Sequence, residues 1–173
     1  MKITTRRIAF AGILAAVYAA VTIATASFAY GPVQFRIAEA LAVLCCFTPA
    51  AIPGMVIGCM AANLASFVSP WDFLIGTCAT LLACVITWIM SRDLDAKRWK
   101  VWLIPLPTIL CNAVIVGAEI ALFFDTDKAF LTAYGFNALS VGAGEAAVMY
   151  VLGVPLLIWL LNSKQLGNRL REI

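Results

Sequence analysis

Charged residues in this chain are confined to a few short stretches, and between them lie apolar runs that never settle into one polar and one apolar face. From Ile8 to Phe35 there is no charged side chain, and from Ala40 to Trp71 there is none either. A helix that is apolar all round has no side to give to water and belongs in a large core or in lipid. Prolines divide the runs. Gly31-Pro32 ends the first helix, because proline has no N–H to donate and holds the residue before it in extended conformations. Pro49 and Pro53-Gly54 break the run from Ala40 to Trp71 twice in the same way. The pattern predicts six spans, near Ile8 to Ser27, Ile37 to Phe47, Ile52 to Val68, Phe73 to Met90, Val101 to Phe123 and Leu139 to Leu161. Arg36 and Glu39 fall where the first span surfaces and the second enters. As i,i+3 neighbours at a helix start they can pair, and such a pair at an interface is either an anchor or part of a gate.

Composition turns the pattern into a class. Of 173 residues, 64% are hydrophobic and 12% charged, against roughly 45–50% and about 25% in soluble domains. The chain is read as an all-α integral membrane protein, a single membrane domain over residues 1–173, multi-pass in the cell membrane. Its first run is long enough to span, whereas the core of a signal peptide has about 7–15 residues, so it is read as a retained helix. Orientation follows from the cations, which stay on the cytoplasmic side. With a hairpin at TPAAIPG, one face collects Lys2, Arg6, Arg7, Arg92, Lys97, Arg98, Lys100, Lys164, Arg169 and Arg171, and only Arg36 and Lys128 are left on the other, ten against two. Without the hairpin the balance is four against eight. Both termini are therefore expected inside, with outward loops at Ala29 to Arg36, Ser69 to Asp72 and Phe124 to Ala138.

Absences narrow the chemistry. There is no histidine, which excludes histidine acid-base catalysis and histidine metal sites. Cys45, Cys46, Cys59, Cys78, Cys84 and Cys111 all sit inside apolar runs without a CxxC, and read as small core residues. No metal, cofactor or nucleic-acid partner is expected. No GxxxxGK[ST] occurs, so the chain does not itself bind ATP through a P-loop, and uphill transport would draw its energy from another subunit.

An ionisable side chain deep in a span costs about 2.5–3.5 kcal/mol on insertion scales, so it marks a candidate site. Glu119 and Glu145 qualify. Asn112 lies seven residues before Glu119, two helical turns, which puts both on one face. Gly142 and Gly144 flank Glu145 and would admit another group close to its carboxylate. Two carboxylates in a low dielectric repel unless a cation or N–H donors arrive. Each is either a ligand group or a buried structural carboxylate, and Asn63 is either a further site residue or an interhelical hydrogen bond. The outward loops carry Tyr30, Gln34 and Phe35, then Trp71, Asp72 and Phe73, then Asp125, Asp127, Tyr134, Phe136 and Asn137. They read as an interfacial aromatic belt or as a lid over an outward cavity. Small residues recur every four positions in the first span, at Gly12, Ala16, Ala20 and Ala24, with Ala11, Ala15 and Ala19 on the adjoining ridge. The third span repeats this with Gly54, Gly58, Ala62 and Ser66. Such ridges permit close backbone approach in lipid, within the monomer or to a partner protein.

The run GPVQFRIAEAL, followed by FTPAAIPGMVIGCMAANL, SPWDFLIGTCATLLA and NAVIVGAE, resembles the QueT family over nearly the whole chain. Members are substrate-binding S components of energy-coupling factor (ECF) vitamin transporters that take up queuosine precursors. The resemblance implies a six-helix S-component bundle with a substrate cavity near the outer face, closed by the outward loops. It implies docking through Ala11, Ala15 and Ala19 with Gly12, Ala16 and Ala20 onto a membrane coupling subunit that carries two cytoplasmic ATPases. It also implies a 7-deazaguanine guest, whose ring N–H and exocyclic amino donors a carboxylate accepts at two points. Glu119 is the first candidate for that acceptor, and Asn112 for the carbonyl edge. Glu145 or Asp72 suits the amine of an aminomethyl-bearing precursor, and Trp71, Phe35 or Tyr30 can stack on the base. Gln34, Arg36 and Asn137 complete the substrate-binding candidates, and no residue is given a catalytic role. The alternatives are the same fold with another vitamin-like cargo, and a small membrane enzyme using Glu119 and Glu145 as acid and base.

Overall fold

In hydrocarbon every backbone N–H and C=O must find its partner within the protein, which leaves apolar runs of this length little choice but the helix. Helices fill the computed structural model over the residues it describes, 4–29, 34–65, 72–127 and 129–173. Among these, four are long and apolar enough to cross a membrane. They are α1 (Thr5–Ala24), α3 (Asp72–Met90), α4 (Arg98–Phe123, irregular in its first turns) and α5 (Phe130–Asn162). Two apolar helices are shorter: a 3-10 helix over Ile37–Cys46, and α2 over Ala51–Ala65. After a break at Ser163 the chain adds α6, Lys164–Arg171.

The second predicted span is thus not an α-helix. Ten residues advance about 15 Å in α geometry and about 20 Å in 3-10 geometry, so the tighter winding carries a short segment further. Its period of three stacks Arg36, Glu39, Ala42 and Cys45 into one buried row. Arg36 and Glu39, expected where two spans meet the interface, are enclosed by protein: Arg36 is 2% exposed and Glu39 0%. The expected outer loop from Phe124 to Ala138 is also shorter than read, because helix resumes at Phe130. The segment FLTAYGFN holds no proline, and its one glycine costs a helix only about 1 kcal/mol, which a helix as long as α5 absorbs.

α1 and α2 pack with their backbones nearly touching. A Cβ added at Gly58 would lie 2.7 Å from Tyr18 Cβ and 2.8 Å from the Ala15 carbonyl oxygen, and one at Gly54 would lie 2.9 Å from the Ala11 oxygen. One ridge of α1 is therefore used inside the chain: Ala15 is buried against α2 and Ala11 half-buried. Gly12, Ala16 and Ala20 lie on the exposed side, and no described atom is within 4 Å of a Cβ at Gly12. Ala19 is half-buried. Ser66, the last member of the α2 ridge, lies outside the described residues.

The two ends of the chain meet. Arg7 donates to the Ile173 carbonyl, Arg6 lies 4.0 Å from Glu172, and Arg171 reaches Asp95 at 2.7 Å. The Arg171 guanidinium also stands 5.7 Å from the Phe47 ring. One end of the bundle thus gathers both described termini, the turn after the 3-10 helix and the 91–97 turn. Asp93 there binds Lys97 and Lys100, and the Lys100 hydrogen bond, ahead of the Lys97 one, holds its carboxyl below the usual carboxylate range.

Candidate functional site

Opposing rows of α1, the 3-10 helix, α3 and α5 meet in the interior, and each sends in a polar side chain. Glu39, on the buried row of the 3-10 helix, accepts the Tyr18 hydroxyl at 2.6 Å and the Thr80 hydroxyl at 3.0 Å, both on Oε1. Cys59 on α2 stands 3.4 Å from Thr80 Oγ1, and Asn63 one turn further on reaches Cys59 Sγ at 3.5 Å within its own helix. Arg36 supplies the cation: its charge and that of Glu39 both act on Tyr18, Cys59 and Glu145. The described cluster therefore sets one guanidinium against two carboxyl groups. Because the Tyr18–Glu39 bond is buried, Tyr18→Phe leaves Glu39 short of a donor. It is expected to lower stability by about 1–3 kcal/mol, read as a fall in the thermal unfolding midpoint in detergent.

Glu145 is 0% exposed, and neither of its carboxylate oxygens has a hydrogen-bond partner among the described residues; the same holds for the amide nitrogen and oxygen of Asn112. Buried polar groups are nearly always partnered, so each exception asks for an explanation. The helices that carry them, α5 and α4, cross close by. Gly142 on α5 faces the Ala113 methyl on α4, one residue from Asn112 and three from Glu145. Gly144 admits the backbone of Gln34, whose carbonyl would collide with a Cβ there. The close approach expected beside Glu145 is thus taken by the segment leading to Arg36.

A second crossing, where Gly117 lies against Ala138, carries Glu119 and Asn137. Both are buried, and the Asn137 amide lies 3.5 Å from the Asp125 carboxylate. Between Asn112 and Glu119 the helix is not plain α: Asn112–Val116 is a π segment with i→i+5 bonding. The assumed two α-turns between Asn112 and Glu119 are therefore shifted in phase, although both side chains still point inward. A second π segment, Met149–Gly153, follows Glu145.

The remaining candidates separate. Phe35 lines an apolar crevice of about 370 Å³ with Phe28, Ile37, Ala147 and Val148, away from the polar row. Gln34 is half-buried. Tyr30 and Trp71 lie outside the described residues; Asp72 opens α3, and its side chain is likewise outside them. The structure thus brings Glu145 within the field of Arg36 and Glu39, adds Tyr18 and Thr80 as partners of Glu39, and leaves Asn112, Glu119 and Asn137 buried on the α4–α5 side. A lone tyrosine in an alanine-rich span is a readable signal in hindsight. Thr80, one of three threonines on α3, carries none.

The described interior thus packs hydrogen-bond acceptors and one cation against one another, away from water. The family model described as QueT transporter matches residues 8–162. No curated protein and no solved structure matches the chain.

Proposed function

Because the chain belongs to the QueT transporter family, we propose that it is the substrate-binding S component of an ATP-driven ECF importer, carrying a queuosine precursor of the 7-deazaguanine class. The observation that carries this reading is Glu145, buried with no donor on either carboxylate oxygen among the described residues; Asn112 is buried in the same condition. A guest with N–H donors and a carbonyl edge answers both. Glu119 accepts the ring N–H and exocyclic amino pair, Asn112 reads the carbonyl edge, and Glu145 takes an amine, with Arg36 and Glu39 fixing the field around them.

In this reading the chain crosses the plasma membrane six times with both termini in the cytoplasm. The cations gathered at the terminal end support that orientation, Arg6, Arg7, Arg92, Lys97, Arg98, Lys100, Arg169 and Arg171. The exposed row of Gly12, Ala16 and Ala20 is the surface offered to the coupling subunit, whose two ATPases supply the energy.

Equilibrium binding of a radiolabelled 7-deazaguanine to purified protein tests the proposal. A hydrogen bond to a buried charge is worth about 1.5–3 kcal/mol, so Glu119→Gln is expected to weaken binding by roughly ten- to over a hundred-fold. Unchanged affinity removes Glu119 from the site, and a wild-type protein that binds no 7-deazaguanine removes the cargo.

A further inference from the structure

At the end of the bundle where the termini meet, far along the chain from the buried acids, α6 turns back after Ser163 and lies against the 91–98 segment. Gly167 allows it, since a Cβ there would stand 2.9 Å from the Leu160 carbonyl oxygen. Between the two segments is a pocket of about 290 Å³, floored by Phe47 and Leu160, with Asp95, Arg98, Asn168 and Arg171 on its walls. The Arg171 guanidinium lies 2.8 Å and 2.7 Å from the two Asp95 oxygens, and its plane is steadied against Phe47. Arg98 acts on the same carboxylate, and the Arg171 hydrogen bond, ahead of these charges, holds the Asp95 carboxyl below its usual range. The pocket wall thus carries two guanidiniums, one of them bound to Asp95, against a single carboxylate, and keeps a positive charge in excess.

Exposed tryptophans stand next to its lining residues in sequence. Trp99 and Trp159 neighbour Arg98 and Leu160 in sequence and are 62% and 57% exposed, as anchors at the headgroup level of a bilayer are. We propose that the Arg98–Arg171 pocket binds a phosphate group. Guanidinium forks match phosphate oxygens at two points each, the Asn168 amide supplies a further donor, and the apolar floor accommodates whatever the phosphate is attached to. Asp95 serves as a built-in competitor that holds Arg171 in place and limits the affinity.

Two sources offer this chemistry at such a depth, an anionic phospholipid headgroup and a soluble phosphate, and the test separates them. The full chain is reconstituted in phosphatidylcholine vesicles containing either phosphatidylglycerol or phosphatidylcholine with brominated acyl chains, and quenching of tryptophan fluorescence is compared. A severalfold preference for phosphatidylglycerol is expected in the wild type. It should fall to near one in Arg98→Gln and rise in Asp95→Asn, a gain that a misfolded variant would not produce. In the second arm, millimolar inorganic phosphate that raises the unfolding midpoint of the wild type and not of Arg98→Gln assigns the site to a soluble phosphate. A lipid preference or phosphate shift that survives Arg98→Gln in full overturns the proposal, as does a wild type showing neither.

Discussion

Glu145→Leu is expected to stabilise the protein without cargo while abolishing cargo binding. A fully buried carboxyl group with no hydrogen-bond donor among its described neighbours, set beside the second carboxylate of Glu39, is an expense to the fold. Exchanging buried ionic groups for well-packed apolar ones of similar size is often stabilising by about 1–4 kcal/mol. Arg36 would not be stranded, because Glu39 remains as its counter-charge. The same exchange removes the acceptor for the cargo amine. Loss of one partner from a buried charge pair costs about 2–5 kcal/mol, roughly thirtyfold or more in affinity. Thermal unfolding and equilibrium binding on one preparation check both halves. A lower unfolding midpoint would mean that Glu145 supports the fold, and the site would have to be sought elsewhere.

The second large effect lies in the α1–α2 contact. Gly58→Val places its new atoms within 2.7–2.8 Å of Tyr18 Cβ and the Ala15 oxygen, and neither can swing aside as the tip of a flexible side chain could. The helices must part. Overpacking of this kind costs about 1–3 kcal/mol. Moving Tyr18 away from Glu39 adds about 1–3 kcal/mol for the orphaned carboxylate. Denaturant unfolding in mixed micelles should register a loss near the sum of the two. Gly12→Val, with no described atom within 4 Å of its Cβ, is the control and should leave stability nearly unchanged. Equal losses in the two variants would contradict the described pairing of the ridges.

Much of this architecture is legible in the residues alone, because the cost of charge in hydrocarbon writes itself into the sequence. Runs free of Asp, Glu, Lys and Arg mark where helices lie, and Glu119 and Glu145 stand out as acids that ought not to be there. What stays hidden depends on winding. Wound as an α-helix, the stretch after Arg36 spreads Arg36, Glu39, Ala42 and Cys45 around the axis; a period of three sets them in one row, and nothing in IAEALAVLCC announces the change. The π segment at Asn112 hides its phase relative to Glu119 for the same reason. Small-residue ridges announce close packing but not its partner, so Ala11 and Ala15 look no different in sequence from Gly12 and Ala16. The stop at Phe124 is visible, whereas the restart at Phe130 is not, because an aromatic and polar stretch at a membrane surface suits a loop and a helix equally.

The 3-10 winding of Ile37–Cys46 fixes a length as well as a face. Rewound as an α-helix, the same ten residues would be about 5 Å shorter, and Arg36, Glu39, Ala42 and Cys45 would fan out around the axis in place of standing in file. The segment therefore works as a ruler whose scale and alignment are one property. It cannot contract to suit a thinner bilayer without also rotating Arg36 and Glu39 out of the polar centre.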